Sequence, residues 1–293
     1  MTPKGELVLV ATPIGNLGDL APRAIEALAG ADVICCEDTR RSGRLLAHAG
    51  VVGGRLLSLH GHNERRRVEE VLGILAAGRR VALVTDAGTP AVSDPGALLV
   101  DAAHEAGIPV RIVPGPSAAT AAIALAGFVR DRWRFEGFLP RKGPERRARL
   151  AGLARSEVPS VIYEAPGRVP ALLADLLGLC GPARRVAVCR ELTKLHEETW
   201  RGSLAGAAAR FTPDAVRGEF VLVLDAAPPA EPAPLRAGEL AGELAALVAA
   251  GSSRRDAVAE LAERHGLARR EIYEALSLAV GPAGSDEASR ESL

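Results

Sequence analysis

Residues 81–90 read VALVTDAGTP, a short apolar run that ends in a polar turn containing glycine. Similar apolar runs, separated by amphipathic stretches, occur from residue 7 to about residue 127, which predicts alternating strands and helices. They are LVLVA at 7–11, DVICC at 32–36, LLSL at 56–59 and VRIV at 110–113. Runs that are apolar on both faces are typical of parallel strands covered by helices. Residues 1–127 are therefore predicted to form an α/β lobe around a parallel sheet.

Residues 128–227 are predicted to form a second, mixed α/β lobe. Its apolar runs are SVIYEA at 160–165, RVAVCRELT at 185–193 and EFVLVLDA at 219–226. A proline-rich linker is expected over 228–234, because each proline fixes its φ angle and lacks an amide donor.

A small helical domain is predicted over 235–281, with a polar, frayed tail over 282–293. Ser253 is a suitable N-cap and Gly266 a suitable stop for one helix, and a second helix is expected from about Ala268. This is helix-turn-helix spacing.

The composition is that of a globular protein with about two domains. The chain has 293 residues, of which 48% are hydrophobic and 25% charged, and its formal net charge is zero. Contact with nucleic acid would therefore depend on local basic patches. No secretory signal, CxxC pair or apolar run of about 20 residues occurs. We expect a cytoplasmic protein with no membrane segment and four reduced, buried cysteines.

Ligands of open α/β sheets bind at the carboxyl ends of the strands, so the turns there are the candidate site. The turn after the first strand does not fit GxGxxG, which disfavours a nicotinamide cofactor. Asp86, Gly88 and Thr89 follow the fourth strand, where a plain tight turn is the alternative explanation. Ser117 follows the fifth strand as a helix N-cap, whose free amides could bind a carboxylate or serve only as a cap.

Other polar groups also follow predicted strands. They are Glu37, Asp38 and Arg40; His60, His62, Asn63 and Glu64; and, in the second lobe, Tyr163, Glu164, Arg190, Glu191 and Lys194. No metal is expected, because no third His or Cys stands at a recognised spacing from the two histidines. Internal ion pairs are the alternative explanation for the second-lobe groups.

The segment 130–149 contains eight basic and three acidic residues. Such a patch suits contact with the phosphates of a nucleic acid, and Arg141, Lys142, Arg146 and Arg147 are its candidate residues. A solvated helix face is the alternative explanation.

The motifs TPIGN (12–16), EDTR (37–40), HNE (62–64), DAGTP (86–90), SDPG (93–96), PGPSA (114–118), GFLPRK (137–142), YEAP (163–166) and RELTK (190–194) occur in this order. Together they resemble the tetrapyrrole methylase superfamily and, within it, the branch of small-subunit ribosomal RNA methyltransferases. The likeness runs from about Leu7 to Leu224, and the segment RRDAVAELAERHGLARREIYEAL resembles the branch's C-terminal helical domain.

The resemblance implies two α/β lobes with S-adenosylmethionine between them, a homodimer, and 2′-O-methylation of a cytidine in 16S ribosomal RNA of the small (30S) subunit. The residues that it assigns to the cofactor are Ile14, Asp86, Gly88, Thr89, Pro114, Ser117, Ala118, Tyr163 and Glu164. Gly167 departs from the family pattern, which has histidine there, so a role tied to that histidine is not carried over.

Methyl transfer to a ribose hydroxyl needs correct positioning and a group that accepts the hydroxyl proton. The candidate bases are Glu37, Asp38, Glu64 and Glu191, with Arg40, Arg190 and Lys194 as electrostatic partners and Asn63 beside them. Glu64→Gln and Glu191→Gln are each expected to lower turnover more than cofactor binding. A tetrapyrrole methylase and a noncatalytic RNA-binding factor are the alternative functions; tritiated cofactor would label RNA, pigment or neither.

Overall fold

The computed structural model describes residues 5–229 and 237–279. The chain divides into two compact units, with the boundary between Pro228 and Pro229. Both α/β lobes belong to the first unit. Most of the predicted linker (228–234) and the predicted tail (282–293) lie outside the described residues.

The first lobe alternates strands and helices without exception. Its elements are β1 (Glu6–Val10), α1 (Pro22–Ala29), β2 (Val33–Cys36), α2 (Thr39–His48), β3 (Arg55–Ser58), α3 (Glu64–Ala76), β4 (Arg80–Leu83), α4 (Ala97–Glu105), β5 (Val110–Val113) and α5 (Ala118–Ala126). The five strands form a parallel sheet in the order β3-β2-β4-β1-β5. The predicted parallel sheet is confirmed.

Both faces of this sheet are buried, which explains the apolar runs. Leu7, Leu9 and Leu83 pack into the core on one face. Val8 and Val10 pack into the core on the other. Because all five strands run the same way, their carboxyl ends meet at one edge, and the turns after them lie side by side there.

The second lobe contains a mixed sheet. Its elements are β6 (Arg134–Phe138), α6 (Pro144–Ala154), β7 (Ser160–Glu164), α7 (Val169–Cys180), β8 (Arg185–Arg190), β9 (Glu198–Ser203), α8 (Leu204–Arg210) and β10 (Phe220–Leu224). The strand order is β6-β7-β10-β8-β9, with β6 parallel to β7 and the other pairs antiparallel. The predicted mixed α/β lobe is confirmed.

Helix α5 connects the lobes and packs on the second sheet. Ala119, Ala122 and Ala126 lie against Ala187 and Val221 in one buried cluster. The predicted boundary at residue 127 places α5 in the first lobe, whereas its packing places it in the second. Small alanine side chains let the helix approach the sheet closely, so the start of α5 is held where the two lobes meet.

The described residues of the second unit form three helices, α9 (Ala237–Ala249), α10 (Arg254–His265) and α11 (Arg269–Ala279). Leu240, Val258 and Ile272 lie in its common core. The Ser253 hydroxyl accepts a hydrogen bond from the Asp256 amide, and Gly266 ends α10 at φ +65°. The predicted capped helix and the helix after it are therefore present.

All four cysteines are free, and three of them are buried. Cys180 is only partly buried, because it ends α7 at the surface. The prediction of four buried cysteines is wrong for this residue.

Candidate functional site

A cavity of about 440 Å³ lies between the two lobes of the first unit, at the carboxyl edge of the parallel sheet. Turns after β1, β2, β4 and β5 form one wall, and residues at the ends of β6 and β7 form the other. Its size falls within the range of about 300–1,000 Å³ that is usual for small-molecule sites.

The turns after β1 and β4 are joined through their backbones. The Thr12 amide donates to the Gly88 carbonyl (2.8 Å), and the Gly88 amide donates to the Thr12 carbonyl (3.1 Å). Gly88 has φ +89°, which a side chain would strain. At the cavity wall, Gly88 therefore presents its backbone without a side chain, next to Ile14.

The start of α5 faces the cavity with Ser117 and Ala118. Ser117 occupies the N-cap position, but its side chain makes no capping hydrogen bond. The first amides of a helix have no partner within the helix, so they remain available to a negatively charged group.

The second wall is built on the end of β7. The Tyr163 ring packs edge-on against the rings of Phe135 (5.0 Å) and Phe138 (5.6 Å between centroids). Glu164 is 2% exposed and forms an ion pair with Arg168. Its Oε2 atom is buried without a hydrogen-bond partner, and a buried polar atom left in this state usually meets a ligand or water.

The structure brings together all the residues predicted to bind the cofactor except Pro114. Those that line the cavity are Ile14, Asp86, Gly88, Thr89, Ser117, Ala118, Tyr163 and Glu164. The Asp86 carboxylate accepts a hydrogen bond from the Asp38 amide (3.2 Å) and pairs with Arg41 (3.3 Å).

Of the residues predicted to act in catalysis, Glu37 lines the cavity and the rest do not. The Asp38 carboxylate caps α2 by accepting a hydrogen bond from the Arg40 amide (2.8 Å), and it accepts another from the Arg40 guanidinium. The guanidinium and the amide together lower the pKa of the Asp38 carboxyl to about 2. The Asn63 side-chain oxygen accepts a hydrogen bond from the His60 amide (2.8 Å), which stabilises the turn that contains both residues. Glu64 accepts from the amides of Gly96 (2.9 Å) and Leu98 (3.0 Å) at the start of α4.

The polar groups after β8 form a second local network. Lys194 pairs with Glu191 (2.9 Å) and Glu219 (3.1 Å), and Glu191 also accepts from the Glu219 amide. These bonds lower the pKa of the Glu191 carboxyl against the opposing effect of burial. The Arg190 guanidinium donates to the Arg217 carbonyl (2.8 Å). These side chains therefore form ion pairs and hydrogen bonds within the protein, as the alternative explanation of internal ion pairs expects.

Sequence reasoning missed Arg41, Asp94 and Phe138, all of which line the cavity. Arg41 stands one residue beyond the EDTR motif. Asp94 and Phe138 lie inside motifs quoted above, SDPG and GFLPRK, but neither was singled out. The Phe138 ring is 54% exposed at the cavity wall, an unusual place for an aromatic side chain.

The basic segment contains both free and paired cations. Arg141, Lys142 and Arg147 are exposed and form no ion pair with any residue of the described ranges. Arg146 instead pairs with Asp175 (2.7 Å) and donates to the Pro140 carbonyl (3.1 Å), and its side chain is only 13% exposed. Of the predicted phosphate contacts, Arg146 is thus engaged within the protein.

Within residues 5–229 and 237–279, His, Cys, Asp and Glu side chains form no group of three that could hold a metal ion. No helix in these ranges has the length and apolarity needed to cross a membrane.

Comparisons with known proteins bear on this site. Residues 6–208 match the family model of tetrapyrrole (corrin/porphyrin) methylases. A ribosomal RNA small subunit methyltransferase I from Synechocystis is 46% identical, and the alignment covers 96% of this chain and 100% of the relative. A protein of the same description from Thermotoga maritima is 43% identical over 75% of this chain and 98% of its own length.

The chain belongs to the tetrapyrrole methylases, in the ribosomal RNA small subunit methyltransferase I family. The family predicted from the motifs is confirmed, and with it the methyltransferase class.

Solved structures of tetrapyrrole methylases share the fold. The methyltransferase CobJ superposes with a TM-score of 0.59 at 24% identity, over 76% of this chain and 95% of that one. A uroporphyrin-III C-methyltransferase from Thermus thermophilus, complexed with S-adenyl homocysteine, gives a TM-score of 0.55 at 20% identity over 75% and 97% of the two chains. The predicted two-lobed fold class is confirmed.

The family histidine that Gly167 replaces would have room here. A Cβ atom built on Gly167 meets nothing within 4 Å. Packing therefore does not explain why this tetrapyrrole methylase has glycine at the position.

Proposed function

We propose that this chain transfers a methyl group from S-adenosylmethionine to the ribose 2′-hydroxyl of a cytidine in small-subunit (16S) ribosomal RNA, as a cytoplasmic homodimer acting on RNA or on an assembling 30S subunit. The observation that carries the proposal is the cavity between the lobes, in a chain whose full-length relatives are ribosomal RNA small subunit methyltransferases.

The residues around the cavity fit this methyl donor. The uncapped start of α5 suits a carboxylate, such as that of the methionine end. The bare backbone at Gly88 admits a close approach. The unpartnered Oε2 of Glu164 offers an acceptor for a hydroxyl or amino group. Ile14, Gly88, Ser117 and Tyr163 are the residues expected to hold it.

The bound donor supplies a methyl group on a positively charged sulfur, which leaves as a neutral thioether when the methyl passes to oxygen. The protein's own part is to hold the acceptor oxygen in line, about 3–3.5 Å from the methyl carbon, and to exclude water. Tyr163 and Phe138 present aromatic surface at the wall where the acceptor would enter. Aromatic side chains commonly stack on the unpaired bases of single-stranded RNA.

RNA would approach over the exposed cations that follow Phe138. Arg141, Lys142 and Arg147 offer positive charge that no carboxylate of the described residues neutralises. An RNA strand bound there would reach the cavity from the side of β6.

The test is methyl transfer by the pure protein from tritiated S-adenosylmethionine to two acceptors, small subunits and free precorrins. Small subunits that lack the modification should take up label in ribose, whereas free precorrins should not. Label in the pigment, or in no acceptor, would contradict the proposal. Light scattering on the same sample should give the mass of two chains.

A further inference from the structure

The cavity contains carboxyl groups with two different kinds of environment. Asp86 and Glu164 are held by arginines, Arg41 and Arg168. Glu37 and Asp94 also line the cavity, yet neither forms an ion pair with any residue in the described part of the chain. These two have no cationic partner among the described residues, so both of their oxygens stay available to a ligand, whereas only the Oε2 atom of Glu164 does.

A buried hydroxyl lies beside both of them. Thr85 is 3% exposed, and its Oγ1 has no partner at normal hydrogen-bond geometry. The hydroxyl lowers the pKa of both Glu37 and Asp94, which places it near the two carboxyls. An unpartnered buried hydroxyl near two unpaired carboxyls indicates a site built for a further polar group.

The loop that presents Asp94 is strained and held in place. Ala91 (φ +66°) and Ser93 (φ +62°) have left-handed backbones without being glycine. Such backbones are unfavourable for residues other than glycine and persist only where the surroundings impose them, most often at functional sites. Here the Ala91 amide donates to the Pro95 carbonyl (3.3 Å), and Glu64 binds the Gly96 amide.

The second lobe also approaches this loop closely. A Cβ atom on Gly137, in the irregular part of β6, would lie 2.6 Å from Ser93 Oγ. Only glycine permits this approach at φ +57°. The strained loop is therefore held by hydrogen bonds within the first lobe and lies close to the second, and Asp94 lines the cavity where the two lobes meet.

Burial makes the Asp94 carboxyl a stronger base, and the negative charges around it add to this effect. Burial raises its pKa to about 6, and the negative charges of Glu37 and Asp86 act in the same direction while the Thr85 hydroxyl opposes them. Burial and Asp86 raise the pKa of Glu37 as well, but Arg41 counteracts this. The other groups facing this cluster are the Tyr163 phenol and, beside Glu37, His60.

We propose that Asp94 is the general base that removes the proton from the acceptor hydroxyl, with Glu37 and Thr85 as positioning residues that set its basicity. This rests on the proposed function, methyl transfer to a hydroxyl. The O–H bond breaks, its proton goes to the Asp94 carboxylate, and the oxygen keeps the electron pair with which it bonds the methyl carbon. A base whose pKa lies near the working pH is the most effective kind.

The decisive measurement is the pH dependence of a single turnover on small subunits between pH 5 and 9. The rate of the unaltered protein should rise with pH through an inflection near 6. Asp94→Asn should lose this inflection and about 10²- to 10⁴-fold in rate, with S-adenosylmethionine affinity by calorimetry kept. Asp214→Asn, an exposed carboxyl in a loop, is the matched control and should keep both.

Two further variants keep the proposal testable if Asp94→Asn fails to fold. Glu37→Gln removes a negative charge that raises the pKa of Asp94, so it should move the inflection to lower pH. Thr85→Val removes a hydroxyl that lowers this pKa, so it should move the inflection to higher pH. The carboxyl signal of Asp94 in the free protein, followed by carbon-13 NMR, should shift in the same two directions. Unmoved inflections, or an Asp94→Asn protein with the parental pH profile, would overturn the assignment. Absence of any transfer by the unaltered protein would instead overturn the proposed function.

Discussion

Asp94 carries a charge in a place that disfavours it, so this residue should reduce stability while serving the site. Its pKa in the folded protein is about 6, above the unfolded value of about 3.9. As pH rises from about 4 to 6, the unfolded chain releases this proton before the folded one does, and the free energy of unfolding falls. Above pH 6 the full penalty is present.

Asp94→Asn is accordingly expected to be more stable than the parent at pH 8, by up to about 3 kcal/mol, and about equally stable below pH 4. Urea unfolding at a series of pH values measures this difference. Asp214→Asn, at an exposed loop position, should show a difference that does not change with pH. A pH-independent difference for Asp94→Asn would contradict the burial argument.

At the scale of single elements, the start of α4 depends on a distant carboxylate. Glu64, the first residue of α3, is 8% exposed, and its carboxylate accepts hydrogen bonds from the amides of Gly96 and Leu98. Because a glutamine oxygen can accept the same hydrogen bonds, this arrangement predicts that Glu64→Gln keeps its turnover, whereas the sequence-based expectation is that turnover falls.

Glu64→Gln should therefore keep most activity and lose less than about 1 kcal/mol of stability, whereas Glu64→Ala should lose about 1–3 kcal/mol by leaving two amides unpaired. Thermal unfolding and single-turnover rates of both variants test this. Loss of turnover in Glu64→Gln with unchanged stability would restore Glu64 as a candidate base.

Some elements could be predicted from the sequence and others could not. Strands β1, β2 and β4, in the middle of the parallel sheet, are buried on both faces and so have continuous apolar runs, whereas the edge strands β3 and β5 are partly exposed. Strand β9 is half exposed, with the sequence ETWRGS, and has no apolar run to reveal it. Helix α5 could be predicted as a helix, but its partner sheet could not, because alanines do not specify which surface they pack on.

The same distinction holds for the candidate site. Residues in strand-end motifs, such as Asp86 and Ser117, could be placed at the sheet edge because parallel strands end together. The capping function of Glu64 depends on an amide 32 residues later in the chain, which sequence periodicity does not reveal. Asp94 stands in a polar turn before a helix, a pattern that is usually structural, so only the fold distinguishes it.

At the scale of the whole molecule, the exposed cations near the cavity should govern RNA affinity. Arg141→Ala with Arg147→Ala is expected to weaken binding of small-subunit RNA and to reduce the slope of log affinity against log salt by about 1 to 2. S-adenosylmethionine affinity should not change. The matched control is Arg23→Ala with Arg155→Ala, which removes two exposed arginines elsewhere on the protein. An equal loss of RNA affinity in the control would show that the total charge of the protein, and not this surface, is responsible.

The division between Pro228 and Pro229 predicts where the chain can be cut. Residues up to Ala227 are tied to the first unit, since the Ala227 amide donates to the Ser156 carbonyl (2.6 Å) and Arg184 donates to the Asp225 carbonyl (2.8 Å). A chain ending at Pro228 should therefore keep its S-adenosylmethionine affinity in calorimetry. A chain ending at Asp225 should be less stable. The RNA affinity of the shorter chains then shows whether the helical unit contributes to RNA binding, and their mass in solution shows whether it contributes to dimer formation.

The strand order β3-β2-β4-β1-β5 also has a consequence during protein synthesis. Strand β1 is made first, but its two neighbours begin only at Arg80 and Val110. At about 5–20 residues per second, the ribosome needs roughly 4 to 15 seconds to produce the first of them. During that interval an apolar segment of the nascent chain has no strand to pair with, which makes it a natural binding site for a chaperone.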